Sequence, residues 1–333
     1  MDVRLGSPHF HRSEWFALMT LLRRALALAL LVPLALTAGC GGEDTSVGAS
    51  DSETRTVVDV EGTSMQVPAD PQRVVALSEP TLDGALALGV EPVGTISGRG
   101  QSEVPRYLSD LASDIALVGA VAQPDFEKIV ALAPDLILVD GTSITNNPGA
   151  VEKLRKIAPT FYAGYAGADW RGTFASVAEA LNRTSEGEQV VAAYDEQVAA
   201  ARTELTSYDA STFSIVRWQG GAPSMILAEL PAGMALSDLG LRRPPGQDRR
   251  GRGHSEPVSL ENLSMVDADY LFFGTLGDDA SKVLDDARKV PGFDDLTASR
   301  LDHVIPVDGS LWTSTGGPLL MSRLVDSVLE GLS

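Results

Sequence analysis

The longest uninterrupted helical pattern in the chain runs from Ser185 to Leu205, SEGEQVVAAYDEQVAAARTEL. Val190, Val191, Tyr194, Val198, Ala201 and Leu205 recur at helical spacing, while Glu188, Asp195, Glu196 and Arg202 take the other faces. Ser185 and Glu188 stand at capping-box spacing, which places the predicted start at Ser185. About twenty residues rising 1.5 Å each make a rod of roughly 30 Å, long enough to connect two lobes. On either side the pattern changes to short apolar runs alternating with shorter helical ones. Before the rod these predict strands at Thr56–Val60, around Met65 and Val67, at Arg73–Leu77 and at Leu136–Val139, with helices at Thr81–Leu88 and Phe126–Leu132. After it, strands are predicted at Phe213–Trp218, Ser224–Leu227, Tyr270–Phe273 and His303–Val307. Helices are predicted there at Met234–Leu239, Leu260–Met265, Ala280–Val290 and Pro318–Leu332. Strands alternating with helices imply an α/β fold with largely parallel sheets. The expected organisation is an N-terminal lobe over 55–184, a joining helix over 185–206 and a C-terminal lobe over 207–333.

A gapless internal repeat supports two related lobes. PDFEKIVALAPDLILV, from Pro124 to Val139, lies on VSLENLSMVDADYLFF, from Val258 to Phe273, so that Glu127 falls on Glu261 and Asp135 on Asp269. Each copy reads as a short helix, a turn and a hydrophobic strand, a unit common enough in α/β proteins that coincidence is the competing explanation.

The N-terminus carries a different pattern. Arg23 and Arg24 precede an apolar run from Ala25 to Leu36, and Leu36, Thr37, Ala38, Gly39 and Cys40 match a bacterial lipobox. Residues 1–39 are therefore expected to be a lipoprotein signal peptide, with Cys40 as the lipidated residue. Counted from Met1 the leader is long and contains His9, His11 and Glu14, which makes Met19 an alternative start. The alternative for Cys40 is a chance cysteine behind an ordinary secretory signal. Residues 40–54, small, polar and acidic, have the composition of a flexible tether. The expected location is outside the cell membrane, held to its outer face by the lipid.

Composition narrows the classes of function. A chain of 333 residues with 44% hydrophobic content can bury a sizeable core, and its net charge of -19 argues against nucleic acid as partner. Cys40 is the only cysteine, so the folded part has no disulfide and relies on its core. Past the leader the only histidines are His254 and His303, and no paired His or Cys offers a transition-metal site. No G-x-S-x-G elbow, P-loop or H-E-x-x-H occurs, so hydrolase and nucleotide chemistry find little support and no enzyme activity is expected.

Several stretches resemble the substrate-binding lipoproteins of iron-siderophore, haem and vitamin B12 ABC transporters. They are RVVALSEPTLDGALALGVEPVG from Arg73, PDFEKIVALAPDLIL from Pro124, KLRKIAPT from Lys153, PVSLENLSMVDADYLFF from Pro257, and the segment with Trp312 and Gly317. The resemblance implies two α/β lobes bridged by one long helix, a ligand cleft between them and only modest closure. It implies a ferric siderophore as ligand, with haem or a corrinoid as same-fold alternatives, and a permease dimer as partner. Glu127 and Glu261 occupy the positions of acidic residues that dock on the two permease subunits, the plain alternative being solvated helix charges. A monomer without a resident cofactor is expected. The alternatives from other classes are a lipid-anchored enzyme and a surface interaction module.

Ligands of α/β sheets bind at the carboxyl ends of the strands. Arg217 and Trp218 end one predicted strand, and Trp312 follows another through a loop. Arginine offers a planar fork to chelate oxygens and tryptophan a flat apolar face. The resemblance implies that Arg217 and Trp312 touch the iron chelate; a surface ion pair and a core aromatic are the respective alternatives. Further candidates are Glu79 and Thr81, Arg99, Ser143, and the cluster Tyr162, Tyr165, Trp170 and Arg171, which packing alone could also explain. The basic stretch Arg242, Arg243, Arg249, Arg250, Arg252 and His254 is read either as a lid over an anionic ligand or as a solvated mobile loop.

Overall fold

A computed structural model describes residues 53–333 other than 145, 146, 148, 252 and 276–279. The predicted leader, Cys40 and nearly all of the tether lie outside the described residues, as does Arg252. The first strands, β1 (Thr54–Val58) and β2 (Ser64–Pro68), form an antiparallel hairpin with Thr56 opposite Gln66. Then come β3 (Val74–Ala76), β4 (Gly94–Thr95) and β5 (Ala116–Leu117), a tight hairpin of β6 (Gly119–Ala120) and β7 (Gln123–Pro124), and the strands β8 (Leu136–Val139) and β9 (Thr160–Tyr162). A fully parallel sheet results, in the order β5-β4-β3-β8-β9. Every residue of β3 and β8 is buried, as both faces of a parallel sheet are covered.

The second sheet contains β10 (Phe213–Gln219), β11 (Ala222–Met225), β12 (Tyr270–Gly274) and β13 (Val304–Pro306), in the order β11-β10-β12-β13. Only the β10–β11 hairpin within it is antiparallel. The order β3-β8-β9 of the first sheet thus recurs as β10-β12-β13. The internal repeat is visible in a shared hydrogen-bonding device at the head of β8 and of β12. Asp135 accepts from the backbone N–H groups of Gln72 (2.8 Å) and Arg73 (2.9 Å), just before β3. Asp269 accepts from the N–H and hydroxyl of Thr212, each at 2.8 Å, just before β10. In each lobe one aspartate fixes the register of two neighbouring strands.

The two lobes are joined by the helix Thr184–Glu204, continued by a 3-10 turn over Leu205–Tyr208. Its N-cap is Arg183 and no side chain caps it, so the predicted capping box of Ser185 and Glu188 is not used. The reason lies upstream, in a helix over Trp170–Ala180 that the apolar pattern did not predict. Asn182 takes a left-handed φ of 56°, the Arg183 N–H returns to Ala178 O, and the joining helix starts directly from that turn. The Trp170–Ala180 helix is capped by Asp169, which accepts from the Arg171 N–H.

The apolar core is organised by layers. One continuous cluster runs from Val74, Ala76, Leu136 and Leu138 of the first sheet through Tyr194, Val198 and Ala201 of the joining helix. It continues through Leu320, Leu324 and Val328 of the helix Pro318–Leu332 to Phe213, Ile215 and Phe272 of the second sheet. Separate clusters cover the opposite faces of the two sheets. The lobes therefore share one core in addition to the rod between them.

Candidate functional site

Strand β10 shows how the fold sorts the predicted site residues. Alternate side chains on a strand point to opposite faces. Phe213 and Ile215 join the shared core, whereas Val216 and Trp218 belong to the cluster behind the second sheet. Arg217 accordingly shares a face with Phe213 and Ile215, and Trp218 does not. Trp218 is 5% exposed, with ring centroids 5.6 Å from Phe273 and 5.8 Å from Phe293, so it is packed as a core residue behind the second sheet. Trp312 packs on the other side of the sheet, in the shared core. It is 1% exposed, stacks on Phe272 at 4.4 Å and donates its indole N–H to Ser327 Oγ at 3.0 Å, so its face and its polar handle are both used by the protein.

Arg217 stands between Gly274 of β12 and Ser224 of β11. Its guanidinium is held below the ordinary arginine range, first by burial and then by the like charge of Arg99. Arg99 follows β4 in the first lobe and Arg217 lies near the end of β10 in the second, so a cation from each lobe stands at the carboxyl end of its sheet, within electrostatic reach of the other. In both, the Nε atom is covered and has no hydrogen-bond partner among the described residues. Two like charges with unused donors have the chemistry to hold an oxyanion.

Glu79 sets the position of Arg99. It is 3% exposed, and its Oε1 accepts from the Arg99 backbone N–H at 2.9 Å. Its Oε2 accepts from Ser314 Oγ at 2.8 Å and from the Thr315 N–H at 3.1 Å. Glu79 is thus a strut between lobes, and its oxygens are not free for ligand. Asp83, one turn further along the helix Glu79–Ala87, does the same work. Its Oδ1 accepts from the Leu319 N–H and its Oδ2 from the Leu320 N–H, each at 2.9 Å, and Tyr107 donates its hydroxyl at 3.1 Å. These are the orphan N–H groups of the helix Pro318–Leu332, so a carboxylate of the first lobe caps a helix that packs against both. Burial outweighs these hydrogen bonds and pushes Asp83 up to about 6. Gly316 and Gly317 are required by this contact, because a Cβ on Gly316 would lie 2.1 Å from the Tyr107 hydroxyl and one on Gly317 2.9 Å from Asp83 Oδ1.

Thr81 closes the capping box with Ser78 at the start of the Glu79–Ala87 helix. Ser143 is buried and donates to Asp140 O at 3.0 Å. Both are structural. Arg171 pairs with Asp195 at 2.7 Å and Asp238 at 3.8 Å and lies 4.6 Å over Trp170. The basic stretch is anchored at its first two residues: Arg242 donates to Asp209 O and Ala210 O, and Arg243 is buried and donates to Ile226 O and to Gln247 Oε1, while Arg249 and Arg250 are exposed. Burial lowers Arg243 to about 10.

Trp170 and Tyr165 line an interlobe cavity of about 40 Å³, together with Asp140 and Thr142 of the first lobe and Glu229 and Met234 of the second. Tyr165 is 55% exposed and its ring lies 5.6 Å from that of Tyr162, which burial pushes up to about 12. Asp140 and Glu229 were not singled out by the sequence reading. Their signal was local, a carboxylate directly after the buried strand LILV and another inside the apolar run MILAELPAG. Glu127 and Glu261 are exposed, each in the first turn of the short helix before β8 or β12.

Comparison with known proteins agrees with this architecture. The chain is 28% identical over 315 residues to the probable siderophore-binding lipoprotein YfiY of Bacillus subtilis, covering 91% of this chain and 96% of that one. It is 27% identical to the petrobactin-binding protein YclQ of the same organism, over 92% and 98% of the two chains. The crystal structure of Staphylococcus aureus SirA complexed with staphyloferrin B superposes with a TM-score of 0.72 at 25% identity, over 84% of this chain and 98% of that one. With its family model matched over residues 74–311 and two α/β lobes on one long helix, the chain belongs to the periplasmic binding protein family.

Proposed function

We propose that this protein captures a ferric siderophore in the cleft between its lobes and delivers it to an ABC importer. The observation that carries the reading is the pairing of Arg99 and Arg217 across the cleft, with covered Nε donors left without partners. An iron chelate presents anionic oxygens, and a guanidinium from each lobe would make closure depend on its arrival. The relatives named as siderophore-binding and petrobactin-binding proteins support that ligand class. In this reading the protein performs no catalysis, holds no resident cofactor, works as a monomer and is tethered to the outer face of the membrane through lipidated Cys40. Glu127 and Glu261, exposed at equivalent places of the internal repeat, would engage the two permease subunits.

The test is a titration of the apo protein with ferric hydroxamates, ferric catecholates, haem and cobalamin, followed by tryptophan fluorescence. Saturable binding of a ferric chelate is expected, weakened about ten- to a hundredfold by Arg217→Ala or Arg99→Ala, the range of a lost hydrogen bond to a charged group. A Soret shift with haem would transfer the site to that ligand, and no response to any of the four would remove the reading.

A further inference from the structure

The cavity beside Trp170 has a chemistry opposite to that of the arginine pair. Two carboxylates enter its wall from opposite lobes, Asp140 at 2% exposure and Glu229 at 5%. Glu229 uses Oε1 to accept from the backbone N–H groups of Gly251 (2.8 Å) and Gly253 (2.6 Å). Its Oε2 is fully covered and has no hydrogen-bond partner among the described residues. A buried carboxylate oxygen without a hydrogen-bond partner is costly, and a donor seated in the cavity would satisfy it. Asp140 is held by Thr142, whose N–H and hydroxyl donate to Oδ1 at 3.1 and 2.6 Å.

The remaining wall suits a positive charge. Trp170, whose ring already carries Arg171, and the more exposed Tyr165 line the cavity, and aromatic rings attract cations through their faces. Of the nearby arginines, Arg171 pairs with Asp195 and Asp238. Arg243 donates to Ile226 O and Gln247 Oε1, keeps two covered nitrogens without hydrogen-bond partners among the described residues, and is the cation of this chain that feels the charge of Glu229. About 40 Å³ accommodates a few water-sized groups, which fits an alkylammonium head and not a whole chelate. We infer that this cavity receives a protonated amine carried on an arm of the ligand, so that the protein selects chelates having an anionic head and a cationic tail. The tail would donate to Glu229 Oε2 and lie between Asp140 and Trp170, while the head meets Arg99 and Arg217. Burial raises Asp140 to about 6, and a seated ammonium would hold it ionised.

This inference rests on the ferric-chelate reading for its head group, and two probes separate the two. The first is a pair of ferric linear trihydroxamates, one with a free terminal amine and one N-acetylated. The amine form should bind wild type about tenfold tighter, the scale of one charge-assisted hydrogen bond, and Glu229→Gln should bring the ratio close to one. Glutamine keeps the Oε1 acceptor for Gly251 and Gly253, and Asp140→Asn is the second variant if Glu229→Gln does not fold. The second probe is pentylammonium alone, which should quench tryptophan fluorescence saturably in wild type and not in Glu229→Gln. Failure of both chelates to bind, with pentylammonium still bound, would sink the chelate reading and uphold the amine site. Equal affinity of the two chelates, or no saturation by pentylammonium, would overturn the amine site and leave Glu229 as a partner of the buried Arg243 alone.

Discussion

Replacing Asp83 by asparagine tests whether the lobes are held by a carboxylate cap as well as by the long helix. Asp83 is completely buried and accepts three hydrogen bonds whose donors, Leu319 N–H, Leu320 N–H and the Tyr107 hydroxyl, come from segments outside its own helix. Asparagine retains one acceptor oxygen and turns an amide N–H₂ toward a donor, so at least one buried donor loses its partner. Hydrogen bonds to a charged group contribute about 1.5–3 kcal/mol each, and a stranded buried donor costs about 1–3 kcal/mol. The expected loss is therefore about 3 kcal/mol, or roughly 6–12 °C in Tm for a protein of this size. The measurement is urea unfolding followed by circular dichroism at pH 7.5, above the raised pKa of about 6, where the wild-type group is ionised. The midpoint should fall with the slope unchanged. Tyr107→Phe removes one donor without stranding Asp83 and should cost about 1 kcal/mol. A loss below about 0.5 kcal/mol for Asp83→Asn, within the range of ordinary surface changes, would refute the cap as a source of stability.

Other outcomes follow from the same structure. Trp218→Ala and Trp312→Ala should each destabilise the fold by about 3–5 kcal/mol, as large-to-small core changes do, while the folded fraction keeps its affinity for ligand; weakened affinity without loss of stability would return either tryptophan to the cleft. Because the folded pKa of Asp140 is raised, the native state binds its proton before the unfolded chain does, and this group makes the protein less stable as pH rises from about 4 to about 6. Asp140→Asn removes that dependence, so its stability relative to wild type should rise across this window by up to about 1.4 kcal/mol per pH unit; a constant difference in thermal melts would contradict the raised pKa. Glu127→Ala with Glu261→Ala should leave ligand binding intact and reduce uptake by cells, and normal uptake would remove the docking role.

What the sequence reveals and what it hides can be separated by residue. The strand β8 was read to the residue from its run of four apolar side chains, and the helix Pro318–Leu332 likewise. Paired aspartates at the heads of β8 and β12 were visible in the gapless repeat, although the backbone groups they hold were not. Trp218 turned away because proximity to a strand end does not say which face a side chain takes, and a one-residue step from Arg217 reverses it; Trp312 lies in a short helix after β13, where no local pattern shows that its ring packs on Phe272. The helix Trp170–Ala180 was hidden because its aromatic and glycine-bearing start reads as a loop, and its cap is a single aspartate. Glu79 and Asp83 stand four residues apart and look like ordinary charges of a helix. Their partners in the second lobe, Ser314, Thr315, Leu319 and Leu320, lie more than 230 residues away in sequence, beyond the reach of any local pattern.

That separation also bears on how the chain acquires its structure. The segment 314–332 supplies the donors for Glu79 and Asp83 and five or more apolar side chains to the core that the first sheet shares. During synthesis, therefore, the N-terminal lobe must wait for residues translated more than 230 positions later before its core closes. Contacts of such long range delay stable folding, which keeps the chain extended for a longer time after it leaves the ribosome. A polypeptide that must be threaded unfolded across a membrane gains from that delay, and the same clamp that stiffens the finished cleft serves beforehand as a late-arriving fastener.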